Sequence, residues 1–186
     1  MHVAEQIAAG GIRGIELVAV ITENPDAPVI DKCRERGLPV QVLPWLGAGR
    51  RCAHEQAVRE SLETVRADLV GLVGYLRLVG TEFVAAWHGR LFNLHPSLLP
   101  AYPGLNAIAR AYEAGEQRFG ATIHWVDEGC DTGATIRQRS LHRDRRDCIQ
   151  TVASRVHRLE AQLLTETLNE LAATVSPRSP LVEVPA

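Results

Sequence analysis

Phe92-Asn93-Leu94-His95-Pro96-Ser97-Leu98-Leu99-Pro100 runs from a short apolar strand into a loop bearing two prolines. Side chains alternate faces along an extended strand. Asn93 and His95 therefore project to one side, and Phe92 and Leu94 to the other. Pro96 disfavours the α region for the residue before it, which keeps His95 extended. The stretch predicts an amide and an imidazole side by side at the carboxyl end of a strand, where open α/β sheets bind ligands. Taken alone, the pair equally suits a polar contact to a neighbouring loop with no chemistry.

Working outward, strand and helix signals alternate. A helix is expected over residues 3–10 and a buried strand over 16–21. Asn24-Pro25-Asp26 is a turn, and Asp26 is placed to cap a helix that runs to Arg36 and stops at Gly37. A strand over 38–43, a loop over 44–49 and a long helix over 51–66 follow. That helix has Ala57, Val58, Leu62 and Val65 on one face. Next come a strand over 68–73, a loop over 74–80, a short helix opened by Thr81, and the Asn93/His95 strand. Beyond it lie a helix over 106–114 and β segments over 121–126 and 134–141. An amphipathic helix over 148–171 carries the stripe Ile149, Val152, Val156, Leu159 and Leu163. Asp147 is its expected N-cap, with Gln150 placed for a capping box. This alternation predicts one α/β domain over residues 1–173, with a mostly parallel sheet covered on both faces. Residues 174–186, with three prolines, are expected to form a loose tail.

Composition narrows the function classes. The 186 residues are 46% hydrophobic and 23% charged, as in an ordinary globular domain. A net charge of −2 exerts no global pull on nucleic acid or an anionic membrane. Lys32 is the single lysine, a bias that reads as genome composition. Cys33, Cys52, Cys130 and Cys148 lack C-x-x-C spacing, so neither a disulfide framework nor a metal site is expected. Reduced thiols in a cytoplasmic protein are the expectation, with no membrane span and no signal peptide.

The second constellation is Ala121-Thr122-Ile123-His124-Trp125-Val126-Asp127-Glu128-Gly129-Cys130-Asp131-Thr132-Gly133, a strand entering an acidic, glycine-bearing loop. Together with Asn93-x-His95-Pro96-Ser97-Leu98-Leu99-Pro100, it resembles the folate-dependent formyltransferase family, over residues from about Ile15 to about Leu171. The resemblance implies a Rossmann-like formyltransferase fold and 10-formyltetrahydrofolate as co-substrate. The partners implied are this folate and a small-molecule amine, and a homodimer is left open. It assigns catalytic roles to Asn93, His95 and Asp131. The chemistry agrees: formyl transfer is acyl transfer, and preorganised donors such as an amide N–H stabilise the charge that grows on the carbonyl oxygen. A protonated His95 is a second donor, and Asp131 can accept the attacking amine's proton, directly or through water.

Other roles follow from the resemblance alone. Gly74, Tyr75, Leu76, Arg77 and Leu78 match the loop that cradles the folate ring. Asp127 and Gly129 belong to the second active loop, with His124 in support. Arg51 matches a position near the folate glutamate tail; a solvated helix start is its structural alternative. Pro96 and Gly104 match substrate-binding positions. His157 and Glu160 sit three apart on one helix face and match the region that meets the amine substrate; a surface ion pair is the alternative. With Tyr102-Pro103-Gly104-Leu105, they point to glycinamide ribonucleotide as acceptor, in purine synthesis. An amino-sugar N-formyltransferase, to which Asn106 and His124-Trp125 are also similar, remains open, as does a non-catalytic folate-binding remnant.

Asp131-Thr132-Gly133 also occurs in aspartic proteases, but those need two such carboxylates, and the chain has one copy. Members of the family open with a strand and a Gly/Ser-rich loop that holds the substrate phosphate. In this sequence Met1 falls at the helix that follows. The expectation is a sheet whose first, interior strand is missing: the start lies upstream, the sheet closes differently, or the fold is weakened. Gly47-Ala48-Gly49-Arg50-Arg51 is a weak anion-binding signal and an ordinary loop otherwise.

Overall fold

The computed structural model describes residues 1–174. Apolar segments of the two predicted periods become strands and helices in the expected order. They are α1 (His2–Ala8), β1 (Val20–Thr22), α2 (Val29–Glu35), β2 (Val40–Val42), α3 (Arg51–Thr64), β3 (Val70–Val73), α4 (Thr81–Ala86), β4 (Leu91–His95), α5 (Ala107–Glu113), β5 (Arg118–Trp125), β6 (Thr135–His142) and α6 (Ile149–Thr174). Thr174, placed in the tail from sequence, is the last residue of α6. The rest of the expected tail lies outside the described residues.

The strands form two sheets. β1 pairs with β2 in parallel. The larger sheet has the order β3-β4-β5-β6, with β3 and β4 parallel and the other two ladders antiparallel. Val20 donates its N–H to the Pro39 carbonyl and Val70 to the Arg90 carbonyl, so both residues turn their backbone groups toward their own partner strand. Alternate residues of a strand face opposite ways. Ile21, Gly71 and Val73 therefore turn their backbone groups toward the break between the sheets, where no strand of the described residues pairs with them. Among the described residues, β1 does not pair directly with β3. The two sheets are joined through side chains instead. Val18 and Ile21 pack on the cluster of Leu62, Phe83, Trp87 and Leu91. Glu23, just after β1, accepts two 2.8 Å hydrogen bonds from Arg77, whose guanidinium lies 4.3 Å from the centre of the Trp45 ring.

Helices cover both faces. Leu163, Leu164 and Leu168 of α6 close over Phe92, Leu94, Ala121 and Ile123, with α1 at the margin through Val3 and Ile7. Leu62 of α3 and Phe83 of α4 cover the opposite face. Leu163 is 0% exposed. Leu163→Ala leaves a cavity at the centre of this layer and will lower the unfolding free energy by about 2–5 kcal/mol, as read from the denaturant midpoint at constant m.

Three expectations are corrected. Residues 16–19, read as strand, lie outside β1, because no neighbouring strand takes their backbone groups. Asp26 does not cap α2: Pro28 stands at the N-cap, and Asn24 Oδ1 accepts the Asp26 N–H within the preceding turn. Asp147 does not cap α6. Its Oδ2 accepts from the Asp144 N–H and from Arg155, and Cys148 stands before the helix with its thiol 3.3 Å from the Thr151 hydroxyl.

Candidate active site

The alternation in β4 places Leu91, Asn93 and His95 on one face. Leu91 enters the core there, while Asn93 and His95 open onto a cleft of about 930 Å³. Phe92 and Leu94 are buried on the other side. The antiparallel register sets Asn93 opposite His124 and His95 opposite Thr122. The loop after β5 then folds back so that Asp131 reaches the same point. That reversal depends on Gly133, because a Cβ there would lie 1.8 Å from the Trp125 carbonyl oxygen. Asp127 Oδ1 ties the loop internally through the Gly129 N–H at 3.1 Å and the Thr132 hydroxyl at 2.7 Å.

Asp131 is the hub. Its Oδ2 accepts the Gly104 N–H at 2.7 Å and faces His95 Nδ1 at 3.3 Å. Its Oδ1 accepts an N–H from Asn93 Nδ2 at 3.1 Å and lies 3.5 Å from His124 Nε2. Asn93 and His95, from one motif, thus both meet Asp131 from another far along the chain. His124 Nδ1 faces the Trp125 carbonyl at 2.8 Å. A carbonyl only accepts, so Nδ1 carries the proton, and Nε2 is left to accept from Asn93 Nδ2 at 3.3 Å. Both Asn93 N–H bonds therefore have partners. His95 Nε2 lies 2.9 Å from the Tyr102 carbonyl, so both of its nitrogens face oxygen acceptors. Only the doubly protonated ring donates to both.

The remaining residues singled out from sequence divide. Gly74, Tyr75, Leu76, Arg77 and Leu78 line one wall of the cleft, and Asp127 and Gly129 another. Pro96 and Gly104 line it beside the cluster, with His157 and Glu160 at the α6 end. His157 Nδ1 and Glu160 Oε2 are 2.7 Å apart. Arg51 does not line the cleft. It heads α3 and approaches Glu55 at 3.9 Å. Arg77 contributes its stem, while its charged head is held by Glu23. Burial, with the carboxylates of Glu23 and Glu55, pushes the Tyr75 phenol above its ordinary range.

Cys130, Leu105 and Asn106, named within motifs but given no binding role from sequence, also line the cleft. Burial first, and then the adjacent Asp131 charge, push the Cys130 thiol up. The backbone contributions of Tyr102 and Gly104 were missed, since main-chain groups leave no signature in residue type. Leu76 and Leu105 remain 72% and 58% exposed at the cleft mouth, an apolar rim of the kind that meets a flat ring.

The chain that carries this cluster has close relatives among known proteins. The formyl transferase family matches residues 2–168, and the chain belongs to that family. It is 36% identical over 152 residues to phosphoribosylglycinamide formyltransferase of Bacillus subtilis, covering 82% of this chain and 78% of that one. The crystal structure of phosphoribosylglycinamide formyltransferase from Bacillus halodurans superposes with a TM-score of 0.86 at 35% identity, covering 94% of this chain and 90% of that one. The trifunctional purine biosynthetic protein adenosine-3 of Drosophila melanogaster is 37% identical over 157 residues, 84% of this chain but 12% of that much longer protein.

Proposed function

We propose that this chain transfers a formyl group from 10-formyltetrahydrofolate to the amine of glycinamide ribonucleotide in purine synthesis. The observation that carries the reading is the junction of Asn93, His95 and Asp131 at the floor of one cleft. The apolar rim fits the folate ring, with Gly74–Leu78 along one side and Asp127 and Gly129 along another. His157 and Glu160 stand where the amine substrate would be met. When bound, the folate supplies a formyl carbon whose oxygen gains negative charge as the amine attacks.

Asn93 has the donor for that oxygen. To offer it, the amide exchanges its longer contact, 3.3 Å to His124, for the substrate oxygen and keeps the bond to Asp131. His95, held at Nδ1 by Asp131 and at Nε2 by the Tyr102 carbonyl, adds positive charge near that oxygen when doubly protonated. Asp131 takes the proton that the amine must lose on becoming an amide and passes it, directly or through water, to the folate N10 as the formyl C–N10 bond breaks, so that tetrahydrofolate leaves as a neutral amine. Asp131 also holds the two donors in place, so one carboxylate serves both geometry and proton transfer. We place the enzyme in the cytoplasm, a reading supported by four free cysteines among the described residues. No helix among those residues is long and apolar enough to cross a membrane.

The test is a transfer assay with 10-formyltetrahydrofolate, comparing glycinamide ribonucleotide with an amino-sugar nucleotide. Saturable transfer to glycinamide ribonucleotide, with a kcat/KM at least tenfold higher than for the amino sugar, is the expected result. The reverse preference would reassign the acceptor. Folate binding without transfer to either amine would mark a non-catalytic folate-binding protein.

A further inference from the structure

Tyr102 has φ +58. A left-handed backbone is unusual for a large aromatic residue and is strained. Such a conformation persists only where its surroundings enforce it, and three contacts do so. The Tyr102 hydroxyl donates to Glu116 Oε1 at 2.8 Å. The Arg110 guanidinium lies 5.7 Å from the centre of the Tyr102 ring. The same guanidinium donates to the Pro103 carbonyl at 2.6 Å and the Leu105 carbonyl at 3.1 Å. The strained turn aims two backbone groups into the active cluster: the Tyr102 carbonyl toward His95 Nε2 and the Gly104 N–H at Asp131 Oδ2. Glu116 itself touches neither catalytic side chain. It borders a separate depression of about 340 Å³, together with Ser97, Leu98, Arg118, Phe119 and Gln138.

We infer that Glu116, acting through the Tyr102 hydroxyl, is a positioning residue that holds the Tyr102 carbonyl against His95 and so fixes the imidazole for formyl transfer. The inference rests on the formyl-transfer reading for its kinetic consequence, but not for its geometry. Without the anchor, the left-handed turn is held by the Arg110 contacts alone, which do not fix the phenol end. The carbonyl then leaves Nε2, and the ring no longer has two fixed partners. The phenol suits this role, because the hydrogen bond to Glu116, and then burial, raise its pKa and keep it a donor. Glu116→Gln keeps an acceptor oxygen at the same reach, whereas Glu116→Ala and Tyr102→Phe each remove one end of the bond.

The experiment measures steady-state transfer and the ¹⁵N resonances of the His95 ring, assigned by their loss in His95→Gln. Tyr102→Phe and Glu116→Ala are expected to lower kcat about tenfold, in line with the loss of groups that orient a functional side chain, with KM for folate and amine within about twofold. Their His95 ring resonances should shift or broaden, and Glu116→Gln should restore both readouts. The inference is overturned if Tyr102→Phe keeps the wild-type kcat and ring resonances. It is also overturned if Glu116→Gln is as impaired as Glu116→Ala. Should Tyr102→Phe fail to fold by circular dichroism, the Gln and Ala variants of Glu116 decide. Wild-type protein that transfers no formyl group, with ring resonances that still follow the brace, would overturn the assigned reaction and leave the positioning intact.

Discussion

Asp131→Ala will lower kcat for formyl transfer by about 10³-fold or more, from the combined loss of proton transfer and of donor alignment. Three separate groups lose their partner at once. His95 Nδ1 is left facing a space where a carboxylate stood, the Asn93 amide loses its 3.1 Å acceptor, and the Gly104 N–H loses its 2.7 Å acceptor. The attacking amine also loses the base that takes its proton. Asp131→Asn separates these effects, since it keeps one accepting oxygen but cannot act as the base. It should retain folate binding and still fall by about 10²-fold or more, the range for removing a general base. Single-turnover kinetics beside a folate titration make the check. An Asp131→Asn protein with wild-type turnover would remove the carboxylate from the proton path.

Removing the donor is the second large effect. Asn93→Ala takes away the amide that can turn toward the formyl oxygen, and the expected loss is about 10²–10³-fold in kcat, as for other preorganised donors. KM should move little, because the bond matters only as charge develops. The same substitution leaves His124 Nε2 without its donor, and that loss has its own effect. His124→Gln is the control. A donor role for Asn93 predicts that Asn93→Ala stays far more impaired than His124→Gln; equal impairment would mean that the His124 contact, and not donation to substrate, accounts for the loss.

Much of this site could be read from residue types. Strand alternation around Asn93 and His95, and a loop that returns an aspartate, are local patterns with fixed consequences for where side chains point. Direction over long separations is not local, and there the sequence was silent. Arg77 falls in the loop that was expected, yet its charged head is set by Glu23, 54 residues away. Periodicity placed the start of α3 at Arg51 without saying that its side chain would run along the helix toward Glu55. The helix α2 begins after Pro28, two residues beyond Asp26, and has no side-chain cap. Strand β1 came out short because pairing, not β propensity, decides how far a strand extends.

The break between the two sheets bears on how the molecule comes apart. Backbone ladders knit β3 to β6 into one body, and the catalytic strand β4 lies inside it. The β1–β2 pair is attached by apolar side chains and the Arg77–Glu23 clamp, without a shared ladder. Such a division defines two cooperative units of unequal strength. The smaller one is expected to open at lower free energy, and its release would free the Arg77 head from Glu23. The cleft is thus tied to that smaller unit through the Gly74–Leu78 wall, by the Arg77–Glu23 pair.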